Sequence, residues 1–274
     1  PYNILNQHMK KIKVSHEVPF CLLEQSREFN DYDYCLPHLL DENEEYKNFF
    51  YKSKEMGRYI VMDNSLHELG EAYNTERLMY WINELTPDEF IVPDVWEDYS
   101  ASARNAKSWS QVELPDGVMK VAVVQAKSQH EAYLCTKVYK DLRYKKIAYS
   151  YGASYYNDVC PHPNKDFGKG IGRFMVISNL LKDNILSPND RVHLLGTASP
   201  IEFGLYKNIE CIESLDTSNP VMAGIDKNLY NGLGLTKKPV ADMNKYQDIS
   251  EELIEENLDY IEHNVQKFRE INEL

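Results

Sequence analysis

The feature that most constrains the fold is an alternation of short apolar runs with longer amphipathic segments. Each run has the length of a β-strand and is apolar almost throughout, which is typical of strands buried on both faces. The predicted strands cover residues 11–14, 58–63, 89–93, 119–125, 146–150, 191–195 and 209–215. Such strands, each followed by a helical pattern, predict a parallel sheet with helices on its faces.

The predicted helices extend this pattern along the chain. They cover residues 41–54, 75–85, 100–109, 128–142, 172–182, 201–206 and 249–271. The last helix is charged and amphipathic, with an apolar stripe that includes Ile261, Val265 and Phe268. Residues 152–172 are rich in Pro, Gly and Asn and are predicted to form a long loop. Because no linker or internal repeat divides the sequence, we expect a single domain over residues 1–274.

A parallel sheet of this kind can remain open or close into a barrel. An open sheet that binds a dinucleotide has a glycine-rich fingerprint after its first strand, and this sequence has none. The length of 274 residues suits a (β/α) barrel, which needs about 250. We therefore expect an α/β fold of the (β/α)8 TIM-type barrel class, with an amphipathic helix at the C-terminus.

Charge and cysteine content restrict the class of protein. The formal net charge of −13 argues against a protein that coats nucleic acid nonspecifically, since phosphate contacts supply most of that affinity. The five cysteines form no CxxC pair, which favours a reducing compartment. The sequence contains no apolar run of membrane-spanning length and no signal segment. We expect a cytoplasmic protein (in the host cytoplasm if a phage encodes it) with no membrane partner.

Polar residues follow one predicted strand after another. In a (β/α) barrel, the C-terminal ends of the strands surround the active site, so these residues would meet in one pocket. They are Asp63, Asn64, Ser65, Asp94, Gln125, Tyr151, Gly152, Gly196 and Asp216. A single Asp or Asn at such a position is usually a turn or helix-cap residue. Three aspartates and a glutamine at separate strand ends instead favour a functional site.

Four segments resemble motifs of the tRNA-guanine transglycosylases. Residues 62–65 (MDNS) resemble the DSGGF stretch of that family, and residues 123–125 (VVQ) resemble its VQGG. Residues 193–200 (HLLGTASP) resemble YLMGVGxP, and residues 215–220 (LDTSNP) resemble FDCVMP with the same spacing from Asp to Pro. The segments follow the family's order and span roughly residues 58–220.

The resemblance implies base exchange and a role for each matching residue. Asp216 matches the nucleophilic aspartate, and Asp63 matches the aspartate that acts as general base. Asp94 matches the aspartate that reads the guanine-like edge, while Gln125 and Gly152 match positions that line the base pocket. The other residues expected to bind substrate are Asn64, Ser65, Tyr151 and Gly196.

The sequence departs from the family in three places. The family's zinc site needs a CxCxxC set after the nucleophile, and no cysteine follows Cys211. We therefore expect no metal site and no cofactor. Ala126 and Lys127 replace the double glycine after Gln125, and residues 221–224 (VMAG) replace an arginine-rich stretch. With these departures, the sequence resembles the shortened, zinc-free branch of the superfamily that is found in phages and bacteria and inserts 7-deazaguanine bases into DNA.

The expected reaction replaces guanine in a nucleic acid with a 7-deazaguanine derivative through a covalent aspartyl-sugar intermediate. The expected partners are DNA, favoured over tRNA, and a base such as preQ0. Lys165, Lys169 and Arg173 are the basic residues expected to bind the phosphate backbone. The sequence leaves the oligomeric state open, including a homodimer.

Two other functions remain open on the sequence. A metal-dependent (β/α)-barrel hydrolase would need His or carboxylate ligands at several strand ends, for which His67 and His193 are available. His193 lies within a predicted strand, which favours a packed or pocket-lining side chain over a metal ligand. A non-catalytic base-binding module would keep the pocket but would not need a nucleophile at Asp216.

Overall fold

The computed structural model describes residues 11–232, 234, 239–243 and 247–274. In these residues, eight parallel strands form one nearly closed barrel with helices between them. The strands are β1 (Lys13–His16), β2 (Asp33–Cys35), β3 (Ile60–Met62), β4 (Glu89–Ile91), β5 (Met119–Val124), β6 (Lys146–Ser150), β7 (Arg191–Leu195) and β8 (Ile212–Thr217). The expected (β/α)8 barrel is confirmed. Residues 1–10 of the predicted domain lie outside the described residues.

The barrel closes between β1 and β2 through side chains as well as backbone. Each strand from β2 to β7 pairs with the next along the chain, and β8 pairs with β1. At the seam, the Asp31 N–H donates to the Val14 carbonyl over 2.9 Å. The Asn30 side chain bonds to the backbone of β1 as a neighbouring strand would. Its Oδ1 accepts from the His16 N–H at 2.7 Å, and its Nδ2 donates to the His16 carbonyl at 3.0 Å. The edge groups at these positions are therefore satisfied.

Side-chain caps mark the start of the main barrel helices. Asn43, Asn74, Asp98, Ser128 and Asn164 each accept from backbone N–H groups of the first helical turn, which would otherwise lack partners. The helices are α1 (Leu23–Ser26), α2 (Pro37–Glu42), α3 (Glu44–Glu55), α4 (Leu66–Leu69), α5 (Thr75–Leu85), α6 (Tyr99–Ser110), α7 (Gln129–Asp141), α8 (Tyr156–Val159), α9 (Lys165–Lys182), α10 (Asn219–Ile225) and α11 (Glu251–Asn272).

Alternation along the strands separates two cores. Val121 and Val123 of β5 belong to a small apolar cluster inside the barrel. Ala122 and Val124 belong to the large cluster between the strands and the helices. Because successive side chains point to opposite faces of a strand, both faces of β5 are buried. This explains why the sequence of β5 is apolar without interruption.

The C-terminal helix α11 packs on the barrel, as its apolar stripe predicts. Ile261, Val265 and Phe268 are buried against it. A Cβ at Gly224 of α10 would lie 2.5 Å from Ile261 Cγ1, so the two helices can approach this closely only with glycine there. Neither α11 nor any other helix in the described ranges is long and apolar enough to cross a membrane.

Ion pairs fill the N-terminal end of the barrel, here called the floor (Tyr59, Glu89, Lys146, Arg191 and Glu213). Lys146 Nζ lies 2.8 Å from Glu89 Oε1, and Arg191 Nε lies 2.6 Å from Glu213 Oε2. The Tyr59 hydroxyl donates to Glu89 over 2.6 Å. Lys146 and Glu89 are fully buried, so each offsets the other's loss of hydration.

The clearest differences from the prediction concern β2 and residues 152–172. β2 was absent from the predicted strands, because its short polar sequence (DYC) lacks an apolar run. Residues 152–172 are not one long loop, since α9 begins at Lys165. A Cβ at Gly172 would lie 2.2 Å from the Tyr156 carbonyl oxygen, so this glycine permits close packing of α9 on α8.

Candidate active site

A cleft of about 490 Å³ opens at the C-terminal ends of the strands, where (β/α)-barrel enzymes have their catalytic residues. Its volume lies within the range of small-molecule sites. The predicted residues that line it are Asp63, Asn64, Asp94, Gln125, Tyr151, Gly196 and Asp216. The structure therefore brings both predicted catalytic aspartates and most of the predicted binding residues together.

Ser65 and Gly152 shape the cleft through a neighbouring residue. Ser65 is buried, and its N–H donates to Asp63 Oδ2 over 3.2 Å. Its hydroxyl lies 2.8 Å from His38 Nδ1. A Cβ at Gly152 would lie 2.9 Å from the indole ring of Trp96, which lines the cleft. Ser65 therefore holds Asp63, and Gly152 makes room for Trp96.

Asp63 follows β3 in a tight turn that aims its carboxyl group into the cleft. Ser65 has a φ of 63°, a left-handed conformation that is uncommon for a residue with a side chain. Burial, together with the charges of Glu68, Asp94 and Asp216, raises the pKa of Asp63 well above its usual range. A raised pKa favours the protonated carboxylic acid, which can donate a proton.

Asp94 is held between two side-chain amides. Its Oδ1 accepts from Asn64 Nδ2, and its Oδ2 accepts from Gln125 Nε2, both over 2.7 Å. The amides are fixed in turn, since Asn64 also donates to the Val92 carbonyl and Gln125 Oε1 accepts from the Glu97 N–H. Burial raises the pKa of Asp94 to about 6, although both amides oppose the rise.

Asp216 lies near the end of β8 and is bonded on one oxygen. His193 Nε2 lies 2.9 Å from Asp216 Oδ1. The Gly196 N–H points at the same oxygen over a longer 3.4 Å. His193 is buried inside β7, which agrees with the expectation of a packed histidine. Because both contacts fall on Oδ1, they leave Oδ2 for another partner.

Three further carboxyl groups line the cleft and were absent from the prediction, those of Glu17, Glu68 and Asp242. Glu17 follows β1, and Glu68 lies in α4. Burial, then the charges of Glu68, Asp216 and Asp63, raise the pKa of Glu17 well above its usual range. Burial also raises the pKa of Glu68, against the charge of His67. Glu17 follows its strand as Asp63 does, but the predicted strand ended at residue 14, which hid this signal.

Aromatic rings form part of the cleft wall. Tyr34 stacks on His193 with ring centroids 6.3 Å apart and planes at 11°. Tyr151 meets His67 edge to face at 5.9 Å. A Cβ at Gly196 would lie 2.3 Å from the Tyr151 ring, and Gly196 has a φ of 65°. Glycine at this position therefore lets the ring of Tyr151 lie against the β7 turn.

The three basic residues predicted to contact phosphate have different environments. Lys165 is exposed and Lys169 is partly exposed on α9, which begins on the cleft side of the barrel because it follows β6. The expectation for Arg173 must be corrected. Its side chain is fully buried, pairs with Glu202 at 2.6 Å and donates to the carbonyls of three residues. A phosphate cannot reach it.

The cleft is acidic within the described ranges. No lysine or arginine in the described part of the chain lines it, whereas six carboxyl groups do, those of Glu17, Asp63, Glu68, Asp94, Asp216 and Asp242. Among the same described residues, no group of three or more His, Cys, Asp or Glu side chains is positioned to hold a metal ion. The charge of the cleft favours proton transfer over the binding of an anion.

The sequence matches no protein-family model and no curated protein. The geometry of the cleft is therefore the basis on which a function can be argued.

Proposed function

We propose that this chain is a base-exchange transglycosylase. It replaces guanine in a nucleic acid, DNA in preference to tRNA, with a 7-deazaguanine derivative such as preQ0. One observation carries the proposal: Asp63, whose pKa is raised, and Asp216, whose Oδ1 is held by His193, line the same cleft. A glycosidic bond is exchanged with retention by this pair of roles.

The first half of the reaction breaks the bond to guanine. Asp216 Oδ2 attacks C1′ of the sugar, and a C–O bond forms while the C1′–N9 bond breaks. The electrons of the broken bond pass to the departing guanine, which takes a proton from the Asp63 carboxylic acid. The raised pKa of Asp63 supports this role, because the acid must be protonated before the step.

The second half restores the nucleic acid with the new base. The Asp63 carboxylate takes the proton from N9 of the incoming base, and N9 attacks C1′. The C1′–Oδ2 bond breaks and its electrons return to Asp216. Both carboxyl groups then have the protonation state in which they began, so no further reactant is needed.

Asp94 and its two amides supply the chemistry for reading a guanine-like edge. Such an edge presents adjacent N–H donors and a carbonyl. The Asp94 oxygens each accept one amide N–H and retain lone pairs for donors of the base. A base without those donors would leave a buried carboxylate poorly satisfied, which favours selection.

Lys165 and Lys169 are the residues proposed to contact the phosphate backbone. Both lie near the N-terminal end of α9. In a chain with a net charge of −13, contact with a polyanion requires such a local cluster. We propose that the sugar and base enter the acidic cleft while the backbone remains outside it. A base in a duplex would have to be flipped out to do so.

The test measures guanine released from DNA and, separately, from tRNA, each labelled in guanine and incubated with preQ0. The wild-type chain should release label from DNA. Asp216→Asn should lower the rate by at least about a thousandfold, because the nucleophile is lost. Asp141→Asn is the matched control, since Asp141 is exposed at the end of α7, and it should leave the rate unchanged.

Other outcomes would redirect or contradict the proposal. Release from tRNA alone would keep the reaction and change the polymer. Absence of release from both polymers would contradict base exchange. If such an inactive chain still bound preQ0, and bound it equally well as Asp216→Asn, the non-catalytic base-binding function would replace it.

A further inference from the structure

A continuous line of hydrogen bonds joins the floor of the barrel to Asp216. Lys146 Nζ donates to Glu89 Oε1 at 2.8 Å and to Ser214 Oγ at 2.9 Å. Ser214 Oγ lies 2.8 Å from His193 Nδ1, and His193 Nε2 lies 2.9 Å from Asp216 Oδ1. Every side chain in this line is buried.

The line fixes the position of the proton on His193. Lys146 has only donors, so the Ser214 oxygen must accept from it. The Ser214 hydroxyl keeps its own proton and a second lone pair, so it can serve His193 Nδ1 in either direction. The other ring nitrogen decides between them, because the Asp216 carboxylate has only acceptors and lies 2.9 Å from His193 Nε2. A neutral ring with its proton on Nε2 leaves Nδ1 to accept from Ser214. His193 therefore donates from Nε2 to the Asp216 carboxylate.

The backbone and a neighbouring ring hold His193 in this orientation. The pairing of β7 with β8 shifts register between Val192 and His193, and such a bulge redirects side chains. It places His193 opposite Ser214, while Asp216 lies two residues further along the same face of β8. The ring of Tyr34 stacks on the face of the His193 ring, with the two planes at 11°.

We propose that His193 is a positioning residue for Asp216, with its proton on Nε2 and with Nδ1 held by Ser214, which Lys146 holds in turn. The Nε2–H bond occupies Oδ1 and presents Oδ2 to the sugar. The same bond stabilises the carboxylate as it leaves C1′ in the second half-reaction. This kinetic consequence rests on the proposed base exchange, whereas the tautomer does not.

The donor should matter most when the covalent intermediate breaks down. In His193→Leu, the departing Asp216 carboxylate lacks its hydrogen bond, so cleavage of the C1′–Oδ2 bond is slowed. We expect kcat to fall about a hundredfold, the KM for the nucleic acid to fall with it, and the covalent protein–nucleic acid adduct to accumulate. His193→Gln can place an amide N–H near the same oxygen and should recover most of the rate.

The first measurement does not depend on activity. In protein labelled with ¹⁵N-histidine, the His193 signal, assigned by its loss in His193→Gln, should be that of a neutral ring with the proton on Nε2. Ser214→Ala removes the hydrogen bond that the Ser214 hydroxyl makes with His193 Nδ1, so it should shift or broaden this signal. A wild-type His193 that carries its proton on Nδ1, or on both nitrogens, would overturn the proposal.

The second measurement quantifies the adduct on denaturing gels after acid quenching. Accumulation in His193→Leu, its relief in His193→Gln, and equal melting temperatures of the two variants would support positioning. Equal losses of rate in both variants without any accumulation would overturn it. Absence of exchange in the wild-type chain would instead defeat the proposed function, and the ¹⁵N spectrum would still decide the tautomer.

Discussion

The two ends of the barrel use carboxyl groups in opposite ways. At the floor, Glu89 and Glu213 each lie within 2.8 Å of a cationic nitrogen, from Lys146 and Arg191 respectively. At the cleft, six carboxyl groups line one space, and no lysine or arginine among the described residues lines it with them. Among the described residues, the carboxyl groups of the floor therefore face a lysine or an arginine, and those of the cleft do not.

The difference separates stability from chemistry. A buried carboxyl group beside a cation forms an ion pair that links strands of the barrel, as Glu89 of β4 does with Lys146 of β6. For Asp63, burial and the charges of neighbouring carboxyl groups raise the pKa well above its usual range, which favours the protonated form. Such a group destabilises the ionised folded state but can act as an acid and then as a base. Variants at the two ends should therefore affect different properties.

The largest expected effect is on activity at the cleft. Asp63→Asn removes the proton donor and acceptor, and we expect the exchange rate to fall by about a hundredfold to ten-thousandfold. The free energy of unfolding should stay within about 1 kcal/mol of the wild-type value or increase, because a carboxyl group disfavoured by burial is removed. Guanine release and urea unfolding measure the two properties. A large loss of stability would break the comparison.

At the floor, we expect a substitution to lower the free energy of unfolding. Lys146→Met leaves Glu89 buried without its closest cation, and we expect the free energy of unfolding to fall by about 3–5 kcal/mol. Lys140→Met is the matched control, because Lys140 pairs with Asp190 near the surface and should lose less than about 1 kcal/mol. Urea unfolding of both variants tests this. Equal losses would show that the floor pair has no special role.

The pH dependence should distinguish binding from stability at the cleft. The pKa of Asp94 is about 6, above that of the same group in an unfolded chain. Its stabilising contribution is therefore present in acid and is lost as the pH rises through about 6. The affinity for preQ0 should instead rise with pH through this range. Below pH 6 it should weaken up to about tenfold per pH unit, because protonation removes the Asp94 carboxylate that accepts from the base.

Titration calorimetry and thermal unfolding across pH 5–8 check the two trends on the same protein. Asp94→Asn is the control for both, since its side chain does not titrate. The variant should bind preQ0 weakly, with no inflection near pH 6. Affinity and stability that rise together through this range would contradict the role given to Asp94.

The smallest effect is expected at Lys165 and Lys169, near the N-terminal end of α9. Lys165→Gln with Lys169→Gln should weaken DNA binding severalfold and lower the slope of log affinity against log salt by about 2, since each phosphate contact contributes about 0.9. Lys137→Gln, on the exposed face of α7, is the control. An unchanged slope would remove α9 from the nucleic-acid interface.

Much of the fold could be predicted from the sequence because buried parallel strands have a simple signature. Runs such as residues 119–125 are apolar on both faces, and the helices between them begin at polar caps. β2 lacks this signature because Asp33 and Tyr34 interrupt it. Its place is fixed by the neighbouring β3 and by the Asn30 bridge to β1, which are contacts distant in sequence.

The cleft residues were predictable where they directly follow a recognised strand. Asp63, Asp94, Gln125 and Asp216 were found in this way, and the structure brings them together. Glu68 could not be predicted from the end of a strand, because it lies in the helix α4. Arg173 shares a helical face with Lys165 and Lys169, but α9 turns from solvent into the core along its length. Burial of this kind depends on Glu202, a partner from another element.

The proposed function requires covalent chemistry through Asp216 at the cleft end of the barrel. The most direct measurement is mass spectrometry of peptides after the wild-type chain is incubated with guanine-labelled DNA, without preQ0, and quenched in acid. We expect a sugar-linked adduct on Asp216, which is absent in Asp216→Asn. Release of guanine without an adduct, or with an adduct on another residue, would contradict it.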